Sequence, residues 1–355
     1  DCLVCHDQSG TYAKAKPNGG LPADGVDLQV VARSVAMNNG KPTVDNCIFC
    51  HANAGGGNNV KHGDLAMSLA NTTREYDVHM GTDGADFECV DCHGVHDILP
   101  HTDPDSRISR NMVPKTCGSC HVLVEDIYNQ SVHGELLNAH DTNAPVCTTC
   151  HTSHVVSLPS GPEFRLHADR MCGQCHEEVT ETYFETYHGK VFALGYTETA
   201  SCHDCHGQHN ILKPENPQST LSRDNIVATC AECHPSAHRQ FAGYLTHATH
   251  HDPQKYPWLF YYFWAMTLLL VGTLTLATLH TLAWLWRLWR SPEHWKPHRA
   301  HRLPKPGAKM YRRFTTFERT LHGIMILSFF TLAITGMILK FSYMGWAQLS
   351  ASLLG

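Results

Sequence analysis

The sequence predicts a fold of short α-helices and irregular loops with little sheet, followed by transmembrane α-helices. Two observations predict it. Eight copies of Cys-x-x-Cys-His occur in the first 234 residues and use all sixteen cysteines of the chain, and two uncharged apolar segments follow them. Cys-x-x-Cys-His is the attachment motif of c-type haem, in which both thiols bond covalently to the haem and the histidine binds the iron. The predicted fold class is therefore a multihaem cytochrome c whose helices pack on eight c-type haems.

The motifs assign two sets of residues. The predicted thioether bonds to haem are made by Cys2, Cys5, Cys47, Cys50, Cys89, Cys92, Cys117, Cys120, Cys147, Cys150, Cys172, Cys175, Cys202, Cys205, Cys230 and Cys233. The predicted proximal iron ligands are His6, His51, His93, His121, His151, His176, His206 and His234. Zinc sites, a disulfide framework or a thioredoxin-like site would not explain a histidine after every cysteine pair.

The composition agrees with a haem-filled interior. Residues 1–255 provide about 32 residues for each motif, too few for an ordinary apolar core, so the porphyrins themselves must form the core. This region holds 16 Lys and Arg against 31 Asp and Glu, whereas residues 256–355 hold 11 against 2. An acidic domain favours partners with a basic docking patch, although simple solubility explains the charge equally well, and it disfavours nucleic acid.

A unit with two attachment motifs repeats at a fixed period. Cys117 and Cys172 are 55 residues apart, as are His133 and His188. Each full unit carries two histidines beyond those of its motifs, which suits two irons with histidine on both faces. We place paired-haem repeats at about 47–116, 117–171 and 172–229, with half repeats at each end of a domain that covers residues 1–250.

The additional histidines are the candidate distal ligands. The second histidine of each His-x-x-His lies on the same face of a short helix as the first, so we expect it to bind the iron of a neighbouring haem. The predicted distal ligands are His62, His79, His96, His133, His154, His188, His209 and His247. His250 and His251 compete with His247 for one iron, and His101 competes with His79.

The two apolar segments predict transmembrane helices at 251–290 and 319–345. No charged residue lies between Tyr256 and Trp286, a stretch longer than the ~20 residues that span a bilayer. The basic linker 291–318 is predicted to be cytoplasmic by the positive-inside rule, which places the haem domain in the periplasm. His280 and His322 lie within the two segments, and we expect them to bind b-type haem or a quinone, or else to reach the membrane interface.

The second segment resembles a known family. With Arg319 and His322 near its start and Thr335-Gly336 later, it resembles the first helix of the cytochrome b subunit of formate dehydrogenases and nickel–iron hydrogenases. The resemblance implies that His322 ligates a cytoplasmic-side b haem whose other ligand lies on a later helix. The whole chain is similar to inner-membrane multihaem b/c-type cytochromes of metal-reducing bacteria, which implies menaquinol oxidation. We therefore expect residues 346–355 to be a truncated remainder of a longer cytochrome b domain.

The predicted function is electron transfer between the membrane quinone pool and periplasmic cytochromes or other acceptors, with menaquinone and b-type haem as further cofactors. Quinol oxidoreductase activity is expected only with a complete cytochrome b part or subunit. Two alternatives stay open: an octahaem periplasmic reductase of a nitrogen or sulfur oxyanion, and a haem-bearing anchor subunit of a larger respiratory or photosynthetic complex. The predicted location is the bacterial inner membrane.

Overall fold

The computed structural model describes residues 2–7, 9–13, 15, 21–38, 42–52, 65–291 and 314–354. In these ranges the chain forms helices joined by turns and irregular segments; an isolated bridge joins Ala52 and Leu65, and no β-strand occurs. The prediction of short helices with little sheet is confirmed for this part of the chain. The helices divide between two compact units, the first formed by residues 1–177 and 200–243 and the second by residues 178–199 and 244–355.

Sixteen α-helices and one 3-10 helix (Met67–Asn71) lie in the described ranges. They are α1 (Cys2–His6), α2 (Leu28–Asn38), α3 (Val44–His51), α4 (Cys89–His93), α5 (Val113–Gly118), α6 (Val122–Asn129), α7 (Val132–Asn138), α8 (Cys147–His151), α9 (Pro162–Gly173), α10 (Glu177–Glu185), α11 (Tyr187–Ala193), α12 (Cys202–His206), α13 (Ile226–Ala231), α14 (Pro257–Arg290), α15 (Thr316–Lys340) and α16 (Gly345–Leu354). Every attachment motif lies within a helix or at the C-terminal end of one.

In the described part of the first unit, buried apolar side chains form a small cluster. One cluster of buried residues is formed by Val113, Leu137, Ala144 and Val146. Tyr128 packs against it and donates a hydrogen bond from its hydroxyl to the carbonyl oxygen of Pro145 at 2.7 Å. Cys117 and Cys147 also contact this cluster, so the apolar side chains of this region gather where two attachment motifs meet.

The two copies of the repeat begin a helix in the same way. Ser131 caps α7 by accepting a hydrogen bond from Gly134 N at 3.1 Å, and Thr186 caps α11 by accepting one from Gly189 N at 3.2 Å. A Cβ atom on either glycine would lie 2.2 Å from a backbone carbonyl oxygen six residues earlier. Each glycine is therefore required by close backbone approach, and it follows directly after a candidate distal histidine.

Helices α14 and α15 of the second unit are long and apolar enough to cross a membrane. They contain 34 and 25 residues, and nearly all of their side chains are exposed. Pro257 stands at the start of α14, where its missing N–H costs no hydrogen bond. Thr315 and Glu318 form a capping box that starts α15 at residue 316, and α15 ends at Lys340 before a turn leads into α16. Residues 292–313 of the predicted basic linker lie outside the described residues.

Candidate functional site

Alternate attachment motifs have different local structures. Four of them, at α1, α4, α8 and α12, are five-residue helices that end at the motif histidine. Three others begin at the last turn of a longer helix, α5, α9 or α13, and their histidines follow that helix. In this second class the histidine N–H bonds to the carbonyl oxygen of the first motif cysteine at 2.9 Å. This alternation matches the repeat of paired motifs.

A polar residue between the two cysteines caps α4, α8 and α12. Asp91 and Asp204 accept a hydrogen bond from the backbone N–H of the residue before the first cysteine, both at 2.8 Å, and Thr149 Oγ1 accepts the equivalent bond at 3.0 Å. These capping residues were not predicted from the sequence, because the attachment motif allows any residue at the two positions between its cysteines. A polar side chain directly before the second cysteine was the available signal.

The second histidine of each His-x-x-His does not lie on a helix, and the prediction that it does was wrong. The helices end at the first histidine, and the next residue has a positive φ: 84° at Gly94, 64° at Thr152 and 83° at Gly207. This backbone turn ends the helix, so the second histidine lies in the irregular segment that follows. The second histidines are thus carried away from the helix face by backbone conformation rather than placed on it.

Within the described part of the first unit, five pairs of imidazole rings, each with one motif histidine and one candidate distal histidine, lie close together. The centroid separations are 6.2 Å for His6–His96, 5.9 Å for His79–His121, 6.1 Å for His93–His154, 6.3 Å for His133–His176 and 6.0 Å for His151–His209. Every pair joins segments that are distant in the sequence.

This separation fits two ligands on opposite sides of one metal. A bond between a metal and an imidazole nitrogen is about 2 Å long and the ring centre lies about 1 Å further out, so trans imidazoles on one metal have centroids about 6 Å apart. Burial lowers the pKa of His93, His133, His151, His154 and His209, which favours the neutral imidazole that binds metals. The residues present therefore fit a bis-histidine haem iron.

Aromatic side chains cover two of these histidines. The Phe87 ring stacks on His79 with centroids 5.5 Å apart, and the Phe164 ring stacks on His151 at 5.2 Å.

Asp77, which is 1% exposed, accepts hydrogen bonds from the backbone N–H groups of His79 at 2.8 Å and of Val156 at 2.9 Å. Asp77 thereby ties together the segments that carry the candidate ligands His79 and His154.

The cysteines place consecutive motifs beside one another. The Cys47 side chain lies beside that of Cys89, and the Cys117 side chain lies beside that of Cys147. Cys92 of the third motif lies near Cys117 of the fourth. Further neighbours link the other motifs in sequence order: α8 contacts α9, α9 contacts α12, and α12 contacts α13.

The first and second motifs are linked as well. Helix α1 contacts α3, and the Asn46 side chain donates a hydrogen bond to the carbonyl oxygen of Asp7 at 3.0 Å. Neighbouring motifs in the sequence are therefore neighbours in the first unit from the first motif to the eighth. This order could not be read from the motif spacing alone.

The remaining predicted ligands have other placements. His51 ends α3, whereas His62 lies outside the described residues. His206 and His234 belong to the first unit, and His188 and His247 to the second; His247 Nδ1 lies 2.9 Å from Thr182 Oγ1. His280 and His322 lie on exposed positions of α14 and α15.

Comparisons with known proteins give limited similarity. No family model matches the chain. An uncharacterized protein of Archaeoglobus fulgidus is 30% identical over 109 residues, and this chain spans 35% of the length of that relative while 26% of the chain is matched. An octaheme cytochrome c from Shewanella oneidensis is 33% identical with a TM-score of 0.26, over 42% of this chain and 31% of that one. At this TM-score the interpretation of the site depends on the residues of the chain itself.

Proposed function

We propose that the chain is a membrane-anchored electron-transfer protein that connects the membrane quinone pool with periplasmic acceptors through eight bis-histidine c-type haems. The observation that carries the proposal is the set of close imidazole pairs, each of which contains an attachment-motif histidine. An iron with imidazole on both faces has no open position for a substrate. This favours electron transfer over reduction of a nitrogen or sulfur oxyanion.

The residues of the chain have defined tasks in this proposal. Haem bound by the motif cysteines and paired histidines supplies one-electron redox chemistry at its iron. The two histidines of a pair, which would hold that iron, come from distant parts of the sequence, so their positions are set by the fold of the first unit. Phe87 and Phe164 stack on ligand rings and exclude water from one side of them. Exclusion of water and burial of charge are the means by which a protein tunes a reduction potential.

The order of the motifs supports a continuous conduit. Each motif has the next motif of the sequence as its neighbour, through thiol contacts or through contacts between the helices that carry them. Electron transfer along a protein requires such closely spaced cofactors, whereas a single catalytic site does not. A series of eight sites in sequence order would give one path with two ends.

The membrane part of the proposal depends on α14 and α15. Their length and apolar composition suit two membrane spans, and the basic residues between them favour a cytoplasmic linker with the motif-bearing region in the periplasm. His322 and His280 are the residues proposed for b-type haem or quinone binding. The acidic charge of residues 1–255 would steer the protein towards basic patches on periplasmic acceptors.

A haem count tests the proposal directly. Pyridine haemochrome spectra of the full chain separate c-type from b-type haem, and intact-mass measurement counts the covalently bound groups. The expected result is eight c-type haems on every chain, all low-spin. Unmodified thiols or bound zinc at the motifs would overturn the proposal.

A single ligand substitution tests the bis-histidine coordination. His154→Ala removes the imidazole that faces His93, so one haem of the eight is expected to become high-spin and to bind carbon monoxide. The matched variant His140→Asn changes an exposed histidine with φ of 62°, a conformation that asparagine tolerates, and should leave all haems low-spin. An unchanged low-spin spectrum of His154→Ala would contradict the assignment.

A further inference from the structure

Three side chains of the second unit converge outside the haem-binding residues. Glu185 is the last residue of α10, and His250 and His251 precede α14. The Glu185 carboxylate lies 3.7 Å from His250 Nδ1 and 3.6 Å from His251 Nε2, and one donor atom from each residue lies within 4.8 Å of the other two. Two imidazole nitrogens and a carboxylate thus lie around a common point.

The donor separations suit a metal better than direct hydrogen bonds. They exceed the usual 2.7–3.2 Å of an N–H···O hydrogen bond. Around a tetrahedral zinc with bonds of about 2.0–2.1 Å, neighbouring ligand atoms are about 3.4 Å apart. The two observed separations, which run to different oxygens of the carboxylate, are close to this value, and a rotation of the exposed Glu185 and His251 side chains would bring one oxygen and both nitrogens around one metal.

The surroundings of these three residues favour a cation. A cavity of about 630 Å³ opens beside them and is lined by Glu185, His251, Glu178, Glu181 and Asp252, among others. Four of these five side chains are carboxylates, which gives the cavity a negative potential that attracts divalent cations. The cavity also gives water access to any ligand position that the protein leaves open.

His250 is held in place for this role. Its ring packs against the Phe263 ring of α14 with centroids 3.7 Å apart, and its side chain is 15% exposed. His250 and His251 both face Glu185, whereas the nearby His247 lies against Thr182. His250 and His251 thus share the Glu185 carboxylate as a neighbour.

We propose that Glu185, His250 and His251 form a binding site for a divalent transition metal of the zinc class, with water in the fourth position. Two imidazoles and one carboxylate are a ligand set that zinc accepts, and the soft or oxygen-only sets that select copper(I) or magnesium are absent from these three residues. The bound metal would fix the end of α10 to the segment that leads into α14. The proposal does not depend on the electron-transfer function.

The test uses the full haem-loaded protein and Zn²⁺ alone as the probe. After treatment with a chelator, titration calorimetry is expected to give one saturable zinc site per chain. X-ray absorption at the zinc edge, which is separate from that of iron, is expected to give two imidazoles and one carboxylate at about 2.0–2.2 Å. The absence of saturable binding, or a zinc environment without two imidazoles, would overturn the proposal.

Variants locate the site on the protein. Glu185→Gln and His251→Ala should each weaken zinc binding about tenfold or more, since even the loss of a residue behind a ligand costs about 10–100-fold. The control Glu178→Gln alters another carboxylate of the same cavity and should change the affinity much less. An unchanged haem spectrum shows that each variant is folded, and equal affinity in all variants would contradict the assignment.

Discussion

Thr152 stands at a position where the other repeats have glycine, and it adopts the same backbone conformation as those glycines. Its φ of 64° and ψ of −178° lie close to those of Gly94 and Gly207, which also follow a motif histidine. This region of backbone space is essentially restricted to glycine, and another residue there costs on the order of 1–3 kcal/mol. The Thr152 hydroxyl donates a hydrogen bond to the carbonyl oxygen of Val155, which offsets part of that cost.

Replacement of Thr152 by glycine should therefore stabilise the protein. We expect Thr152→Gly to raise the free energy of unfolding by about 1 kcal/mol, because relief of strain exceeds the loss of one exposed hydrogen bond. Denaturant titration of the haem-loaded protein measures it. The reverse change, Gly207→Thr, should lower the stability, and a loss of stability in Thr152→Gly would show that the hydroxyl contact dominates.

Tyr128 should make the stability depend on alkaline pH. Burial raises the pKa of Tyr128 to about 12, because the folded state favours the neutral phenol that donates to Pro145. A raised pKa contributes stability that is complete below the unfolded value near 10 and is lost as the pH rises towards 12. Tyr128→Phe should cost about 1 kcal/mol at pH 7 by removing that hydrogen bond.

The free-energy difference between Tyr128→Phe and the unchanged protein should therefore shrink between pH 10 and pH 12. Unfolding by urea at several pH values measures it. Tyr187→Phe is the matched control: its side chain is exposed, and we expect a change within about 0.5 kcal/mol. A difference that stayed constant across this pH range would contradict the assigned role of the buried phenol.

At the scale of helices and loops, the motifs and the repeat were predictable, but the segments between them were not. The spacing of His133 and His188 indicated that the two positions are equivalent. In the structure each of them precedes a glycine that a close backbone approach requires. It could not show that His79 has the motif histidine His121 beside it. The position of His79 depends on Asp77, whose contact with Val156 joins residues 79 apart in the sequence.

Asp77 should be essential for the segments that it joins. Its carboxylate accepts hydrogen bonds from the N–H groups of His79, Met80 and Val156, and an amide in its place has only one oxygen for them. Asp77→Asn should cost about 1–3 kcal/mol, the usual penalty for a buried donor without a partner. It should also perturb the spectra of the haems proposed to use His79 and His154.

Denaturant titration and low-temperature spectra of the oxidised haems measure these effects. Asp105→Asn changes an exposed carboxylate in the same unit and serves as the control, with little expected change in either measurement. A variant Asp77→Asn with the stability and spectrum of the unchanged protein would show that the three backbone contacts are dispensable.

For the whole molecule, the composition correctly indicated that side chains alone form a small interior. The buried apolar residues of the described ranges are few and occur in separate groups, such as the cluster around Val113 and Leu137. Several fully buried side chains are polar, among them Asp77, Ser131 and Ser201. A chain of this length normally buries a much larger continuous apolar core, so the proposed haems would supply the missing interior.

The protein should accordingly depend on haem attachment for folding. Chains produced without the attachment machinery are expected to lack a cooperative thermal transition and a near-ultraviolet circular dichroism signal from packed aromatic rings. Haem-loaded chains should show both. A cooperative transition in the haem-free chain would mean that the polypeptide holds its fold without the porphyrins.

The imidazole pairs also interlock along the chain. The intervals from His6 to His96, His79 to His121, His93 to His154, His133 to His176 and His151 to His209 overlap in succession. A cut at the repeat boundary before residue 117, or at the one before residue 172, would separate partners of two pairs. The duplicated segments are consequently not independent of one another. A shortened relative could lose one of them only if new histidines replaced the missing partners of the histidines that remain on either side.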